Sequence, residues 1–184
     1  MSILIWALII VAVIIVIMFI SYYNRFVLLS NRIDNSLAQI DVQLKKRADL
    51  VPNLVNIVKG YVKHEKAMIE KVTESRKALL SAKDISSKVK AGDKLQGALK
   101  TIFALAENYP DLKANTNFLQ LQEELSSIED KVAYSRQYYN DNILSYNNSV
   151  EVFPGKLFAS IFGKSKKQFL QITTAEKAVP KVQF

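Results

Sequence analysis

The sequence predicts an all-α protein, with an N-terminal transmembrane helix that continues into an antiparallel up-and-down four-helix bundle. Three observations predict it. Residues 3–20, "ILIWALIIVAVIIVIMFI", are an unbroken apolar run. Beyond them apolar residues return at steps of three, four and seven, the seam of helices packed in a bundle. Pro110 and Pro154-Gly155 punctuate that rhythm and leave connections short enough to join only neighbouring helices. The expected organisation is an anchor over residues 1–22, a bundle over 23–151, and a short amphipathic segment with a tail over 152–184.

The anchor comes first. At 1.5 Å per residue the run covers roughly 27 Å, close to the ~30 Å hydrocarbon core of a bilayer. Trp6 near one end and Tyr22 and Tyr23 at the other suit aromatic interface anchors. A cleaved signal peptide is the competing reading. It calls for a cationic leader and small residues at a cleavage site, and neither is present around Ser2 or between Phe19 and Tyr23. Arg25 and Arg32 follow the span and no Lys or Arg precedes it. The positive-inside rule therefore predicts an outside N-terminus and a cytoplasmic C-terminal domain.

Phe26, Ile33, Leu37, Ile40 and Leu44 carry the helical seam onward without Gly or Pro. Next come three cations, Lys45, Lys46 and Arg47, and then Pro52. Asp49 is a good N-cap residue, and a proline in the first turn of a new helix loses no hydrogen bond. In mid-helix it would cost about 3 kcal/mol. A corner at residues 47–49 is thus predicted, with a single kinked helix as the alternative. In the up-and-down arrangement this corner lies roughly 35 Å beyond Tyr22. Charges there are many Debye lengths (~8 Å) from lipid headgroups. The three cations would cap the tip, where they suit the negative end of the first helix.

Val51, Leu54, Val55, Val58, Tyr61 and Val62, then Met68, Ile69, Val72, Leu79 and Leu80, trace the second helix. Residues 83–93, "KDISSKVKAGD", read as a polar connection. A third helix is expected from about Val89 to Asn108, on Leu95, Leu99, Ile102, Phe103 and Ala106. Pro110 breaks it by disfavouring helix at Tyr109. The fourth helix has the strongest signal: Phe118, Leu121, Leu125, Ile128, Val132, Tyr139, Ile143, Tyr146 and Val150 keep heptad-like spacing.

If the fourth helix descends, its end returns to the membrane. Leu157, Phe158, Ile161 and Phe162, flanked by Lys156, Lys164, Lys166 and Lys167, then form either an interfacial helix or a cover for the open end of the bundle. Tyr23-Asn24, Tyr139-Asn140 and Tyr146-Asn147 repeat one dipeptide toward that same end. They suit rings packed between helices with their polar groups bonded across the junction, or a docking site. The final residues are expected to be an extended tail, and Val182 and Phe184 with a free carboxylate could add to a partner's sheet edge.

Chemistry is scarce. There is no cysteine, which removes thiol nucleophiles, disulfides and cysteine-based metal sites. His64 starts a zinc-protease motif that fails because Met68 stands where the second histidine belongs. "GKS" at residues 163–165 lacks the spacing and the preceding strand of a phosphate loop. Glu123-Glu124 and Glu129-Asp130 are adjacent on a helix and point apart. No enzyme, cofactor, metal, nucleic-acid partner or small-molecule substrate is expected. The net charge of +8 divides as +1, +7, −5 and +5 over residues 1–40, 41–100, 101–151 and 152–184. Helices of opposite charge packed side by side account for that alternation without a nucleic acid.

Several stretches resemble the LemA family: "YN" after the anchor, "IDVQLKKRADLVPNLVNIVKGYVKHE", "AENYPDLKAN", "LQEELSSIEDKVAYSRQYYN", "YNNSVEVFPGKLFASIFG" and the ending "PKVQF". They cover most of the chain in the family's order. The resemblance implies a single-pass bacterial cell-membrane protein with a helical-bundle domain, without an assigned enzymatic activity or cofactor, some of whose relatives take part in organising membrane compartments. It transfers no functional residue. The resulting expectation is a membrane-anchored scaffold for protein partners or for its own copies. The alternative is a lipid-binding or membrane-organising protein acting through residues 156–169.

Overall fold

A computed structural model describes residues 3–62 and 65–170. His64 and the terminal Val182 and Phe184 lie outside the described residues. The described chain is all-helical, with α1 (Ile3–Tyr61), α2 (Lys66–Ser81), α3 (Ile85–Ala106), α4 (Pro110–Lys113), α5 (Thr116–Glu151) and α6 (Gly155–Ile161). It divides into two compact units, one of Met1–Asn35 with Tyr138–Phe184 and the other of Ser36–Gln137. α1 and α5 each contribute to both. The apolar start of α1 is long and hydrophobic enough to cross a bilayer and none of it is buried in the protein.

The corner predicted at residues 47–49 does not exist. α1 runs through Pro52 to Tyr61. A proline at position 52 leaves the carbonyl of Ala48, four residues back, without its helical donor. In the Ser36–Gln137 unit Arg76 of α2 supplies that donor, its Nε giving a 2.7 Å hydrogen bond to the Ala48 oxygen. A side chain from another helix thus replaces the bond the proline removes. Replacing Arg76 by Met is expected to cost about 1–3 kcal/mol, the penalty of an unpaired buried carbonyl. In a Pro52→Ala background the restored amide N–H takes over and the same change should cost much less. Denaturant titration of the four proteins in detergent measures the coupling, and equal costs in both backgrounds would refute it.

Arg47 does not cap a tip. It is 2% exposed, and its Nη1 donates to the Gly92 carbonyl at 3.4 Å. Lys45 and Lys46 are exposed, and Lys45 pairs with Asp49 at 3.5 Å. The third helix begins earlier than its apolar spacing suggests. Asp84 caps it, its carboxylate accepting from the Ser87 N–H at 2.9 Å and from the Ser87 hydroxyl at 2.5 Å. These bonds hold the Asp84 pKa below the usual carboxylate value. Gly92 is therefore inside a helix and not in a connection. A Cβ there would lie 2.7 Å from Leu44 Cδ2, so glycine permits the close approach of α3 to α1.

The core of this unit is built from Ile40, Leu44, Val51, Leu54, Leu95, Leu99, Ile102, Leu112, Phe118, Leu125 and Ile128. Phe103 and Phe118 meet edge to face at 5.9 Å. Charged pairs line its flank: Lys88 with Asp41 at 2.5 Å, Arg136 with Asp93 at 3.1 Å, and Lys100 with Glu129 at 3.1 Å. Gln96 also donates to Glu129. The other unit buries Phe26, Leu29, Ile33, Tyr139, Ile143, Tyr146, Val150, Ala159 and Leu170.

Candidate functional site: the junction beside the apolar helix

The junction forms within the unit of Met1–Asn35 and Tyr138–Phe184. α5 ends at Glu151, and after a cis Phe153–Pro154 peptide the chain enters α6. Gly155 makes that entry possible, because a Cβ there would stand 2.2 Å from the Ser149 carbonyl oxygen and 3.1 Å from Tyr22 Cε1. α6 is one face narrower than the sequence suggests. Phe158 and Phe162 turn onto α1, whereas Leu157 and Ile161 are 57% and 65% exposed. The helix also stops at Ile161, so Lys164, Lys166 and Lys167 are not helical, contrary to expectation.

Phe158 stacks on Tyr22 with centroids 4.9 Å apart and meets the edge of Phe19 at 6.3 Å. Phe162 packs on Phe19 at 4.7 Å, on Tyr23 at 5.4 Å and on Phe26 at 6.2 Å. Phe26 also meets Tyr146 at 6.3 Å. Aromatic pairs of this kind add about 0.5–1.5 kcal/mol each beyond the area they bury. Phe19 belongs to the last turn of the apolar run, so α6 is docked where that run ends. Burial raises the phenol pKa of Tyr146, and burial with the Asp34 carboxylate nearby raises that of Tyr139.

After Gly163, whose φ of 62° lies in the left-handed region, the chain runs without helix to Leu170. Two asparagines of α5 hold it. Asn147 Nδ2 donates to the Lys167 carbonyl at 2.9 Å and its Oδ1 accepts the Lys167 N–H at 2.9 Å. Asn140 repeats this with Leu170, at 3.1 and 2.9 Å. Each carboxamide thus satisfies both groups of one residue's backbone, as a neighbouring strand would. The registers agree: seven helical residues rise roughly 10.5 Å and three extended residues span about 10 Å. Lys167 folds back, its Nζ lying 5.3 Å from the Tyr146 ring centre and 3.4 Å from Ser30 Oγ.

Of the residues singled out by sequence, Tyr23, Tyr146, Asn140, Asn147, Phe158, Phe162 and Lys167 meet in this junction, and Tyr139 is buried beside it. Asn24, Lys156 and Lys164 are exposed. Lys166 pairs with Glu151 at 2.5 Å. Sequence reasoning missed Phe19, Ser30 and Leu170, and it read Tyr22 as an interface anchor without placing it against Phe158. The sevenfold spacing of Asn140 and Asn147 was the available signal for the amide clamp. Among the described residues no three acidic or histidine side chains gather to hold a metal ion.

The arrangement joins an apolar helix, an aromatic foot and a backbone clamp, and residues 36–184 match the model of the LemA family. The chain belongs to the LemA family. Protein LemA of Metamycoplasma hominis is 29% identical over 130 residues, covering 67% of this chain and 57% of that protein. Magnetosome protein MamQ of Magnetospirillum gryphiswaldense is 22% identical over 173 residues, covering 80% and 64%. Magnetosome protein MamQ 2 of Paramagnetospirillum magneticum is 23% identical over 195 residues, covering 90% and 72%. This LemA-family chain therefore spans less than two thirds of the first two relatives. Its apolar N-terminal helix and its family fit a membrane protein.

Proposed function

We propose that this LemA-family chain is a non-enzymatic scaffold anchored by residues 1–22, with a bundle over 23–151 presented to protein partners or to its own copies. Residues 152–184 form its amphipathic foot and tail. Contacts within the Ser36–Gln137 unit support the up-and-down topology. Asp41 meets Lys88 and Arg47 meets Gly92, a parallel pairing of α1 with α3. Arg136 meets Asp93 and Phe118 meets Phe103, an antiparallel pairing of α3 with α5. Arg25 and Arg32 support a cytoplasmic face for the bundle.

The observation that carries the reading is the double-sided α6. Its Phe158 and Phe162 are docked on the end of the apolar run, while Leu157, Ile161 and Phe153 are left facing outward. Contiguous exposed apolar groups beside a membrane helix are expected to enter the headgroup boundary, where each aliphatic side chain gains about 1.5–3 kcal/mol by leaving water. Lys156 and the exposed Lys164 suit anionic headgroups at the same level. The foot would brace the membrane-side ends of α1 and α5 at the bilayer surface. This also favours the second reading, in which the foot itself organises the bilayer.

A fluorophore on Phe153→Cys in the reconstituted full chain tests the foot. It should be quenched by lipid-borne quenchers, and Leu157→Asp with Ile161→Asp should abolish this. Quenching only from the aqueous phase would remove the lipid contact. Chemical crosslinking followed by pull-down tests the scaffold, which predicts a defined partner or homo-oligomer; random membrane proteins alone would refute it.

A further inference from the structure

We infer that the asparagine clamp of α5 is a binding site for an extended polypeptide, and that residues 164–170 of a second copy can occupy it in place of the chain's own. Both asparagines read main-chain atoms only, so the site tests for extended backbone with one buried anchor, Leu170. Such recognition is strand addition performed by side-chain amides. Any copy carries a segment that fits, because the occupant and the site belong to the same sequence.

Three features favour exchange between copies. The segment begins at Gly163, whose left-handed φ and open surroundings make it a joint that can redirect the chain. From Gly163 to Lys167 an extended chain reaches roughly 13 Å, more than the 8–10 Å between the axes of packed helices. The third feature rests on the anchored reading above: copies held in one bilayer with one orientation carry their clamps at the same distance from the apolar run, so the local concentration of the competing segment is high. Exchange around a ring or along a row would link copies through identical contacts, a head-to-tail assembly. It would give the scaffold its means of self-association.

The natural absence of cysteine makes the test clean. Two differently tagged full-length chains are produced in the same membrane, one with Asp141→Cys beside Asn140 and one with Phe169→Cys beside Leu170. A short bis-maleimide should then yield a dimer carrying both tags, and Asn140→Ala with Asn147→Ala in the first chain should reduce it to background. No mixed dimer, while a chain with both cysteines bridges within itself, would overturn the exchange and leave an internal clamp. A mixed dimer indifferent to the two alanines would overturn the clamp as its cause. Carbonate extraction beforehand separates the premises. Chains missing from the membrane pellet overturn the anchored reading together with the exchange, whereas pelleted chains without mixed dimer overturn the exchange alone.

Discussion

Replacing Arg47 by alanine is expected to destabilise the Ser36–Gln137 unit by about 2–5 kcal/mol, the cost of cutting a long buried side chain back to a methyl group, and replacing it by methionine by far less. Arg47 is buried against α3, with one hydrogen bond to Gly92 and its Nε without a partner. Burial lowers its pKa, while Glu129 and Asp93 favour its charge and Arg136 opposes it. The cation is therefore costly to bury, and the two carboxylates offset that cost. Alanine removes the charge and the long apolar stem together, leaving a void beside Leu44 and Gly92. Methionine fills the same volume and removes the desolvated cation. The carboxylates survive either change, since Asp93 keeps Arg136 and Glu129 keeps Lys100, and both are partly solvated. Chemical denaturation in detergent should rank wild type and methionine close together, with alanine well below. If methionine proved as damaging as alanine, the charge and not the packing would be holding α1 to α3.

The second large effect is expected at Gly155. A single added methyl would collide with a backbone oxygen at 2.2 Å, and backbone cannot rotate away as a side chain does. Gly155→Ala should cost about 3 kcal/mol, the upper end for overpacking, and the cost should appear as release of α6. Ala159, 2% exposed, reports this directly. In an Ala159→Cys chain the thiol should label slowly with a water-soluble maleimide, and adding Gly155→Ala should raise the labelling rate at least tenfold. An unchanged rate would mean that α5 yields at Ser149 while α6 stays seated. In that event the aromatic contacts from Phe158 and Phe162 to α1 outweigh the strain at the turn.

Much of the architecture was legible. The 3–20 run, the helical class and the long seam from Phe118 to Val150 all follow from period and composition, because burial of one helical stripe leaves a repeat in the sequence. Arg47 could have been placed by the same rule. It stands three residues after Leu44 and four before Val51, squarely in the stripe, yet its charge argued for the surface. The start of α3 escapes the apolar pattern because residues 83–93 are mostly polar and include Gly92. Its role is to lack a side chain where Leu44 presses in.

By itself the sequence determined the all-helical class and which run can enter a bilayer, since backbone hydrogen bonding and apolar period are properties of neighbours along the chain. Tertiary structure alone decided that Pro52 interrupts nothing, because the missing donor is replaced by Arg76, 24 residues further on. It also decided that residues 164–170 lie along α5, held by two carboxamides whose partners no local pattern predicts. In both cases the deciding bond joins a polar group to a backbone atom far away in sequence, and the apolar period does not say which atom that is.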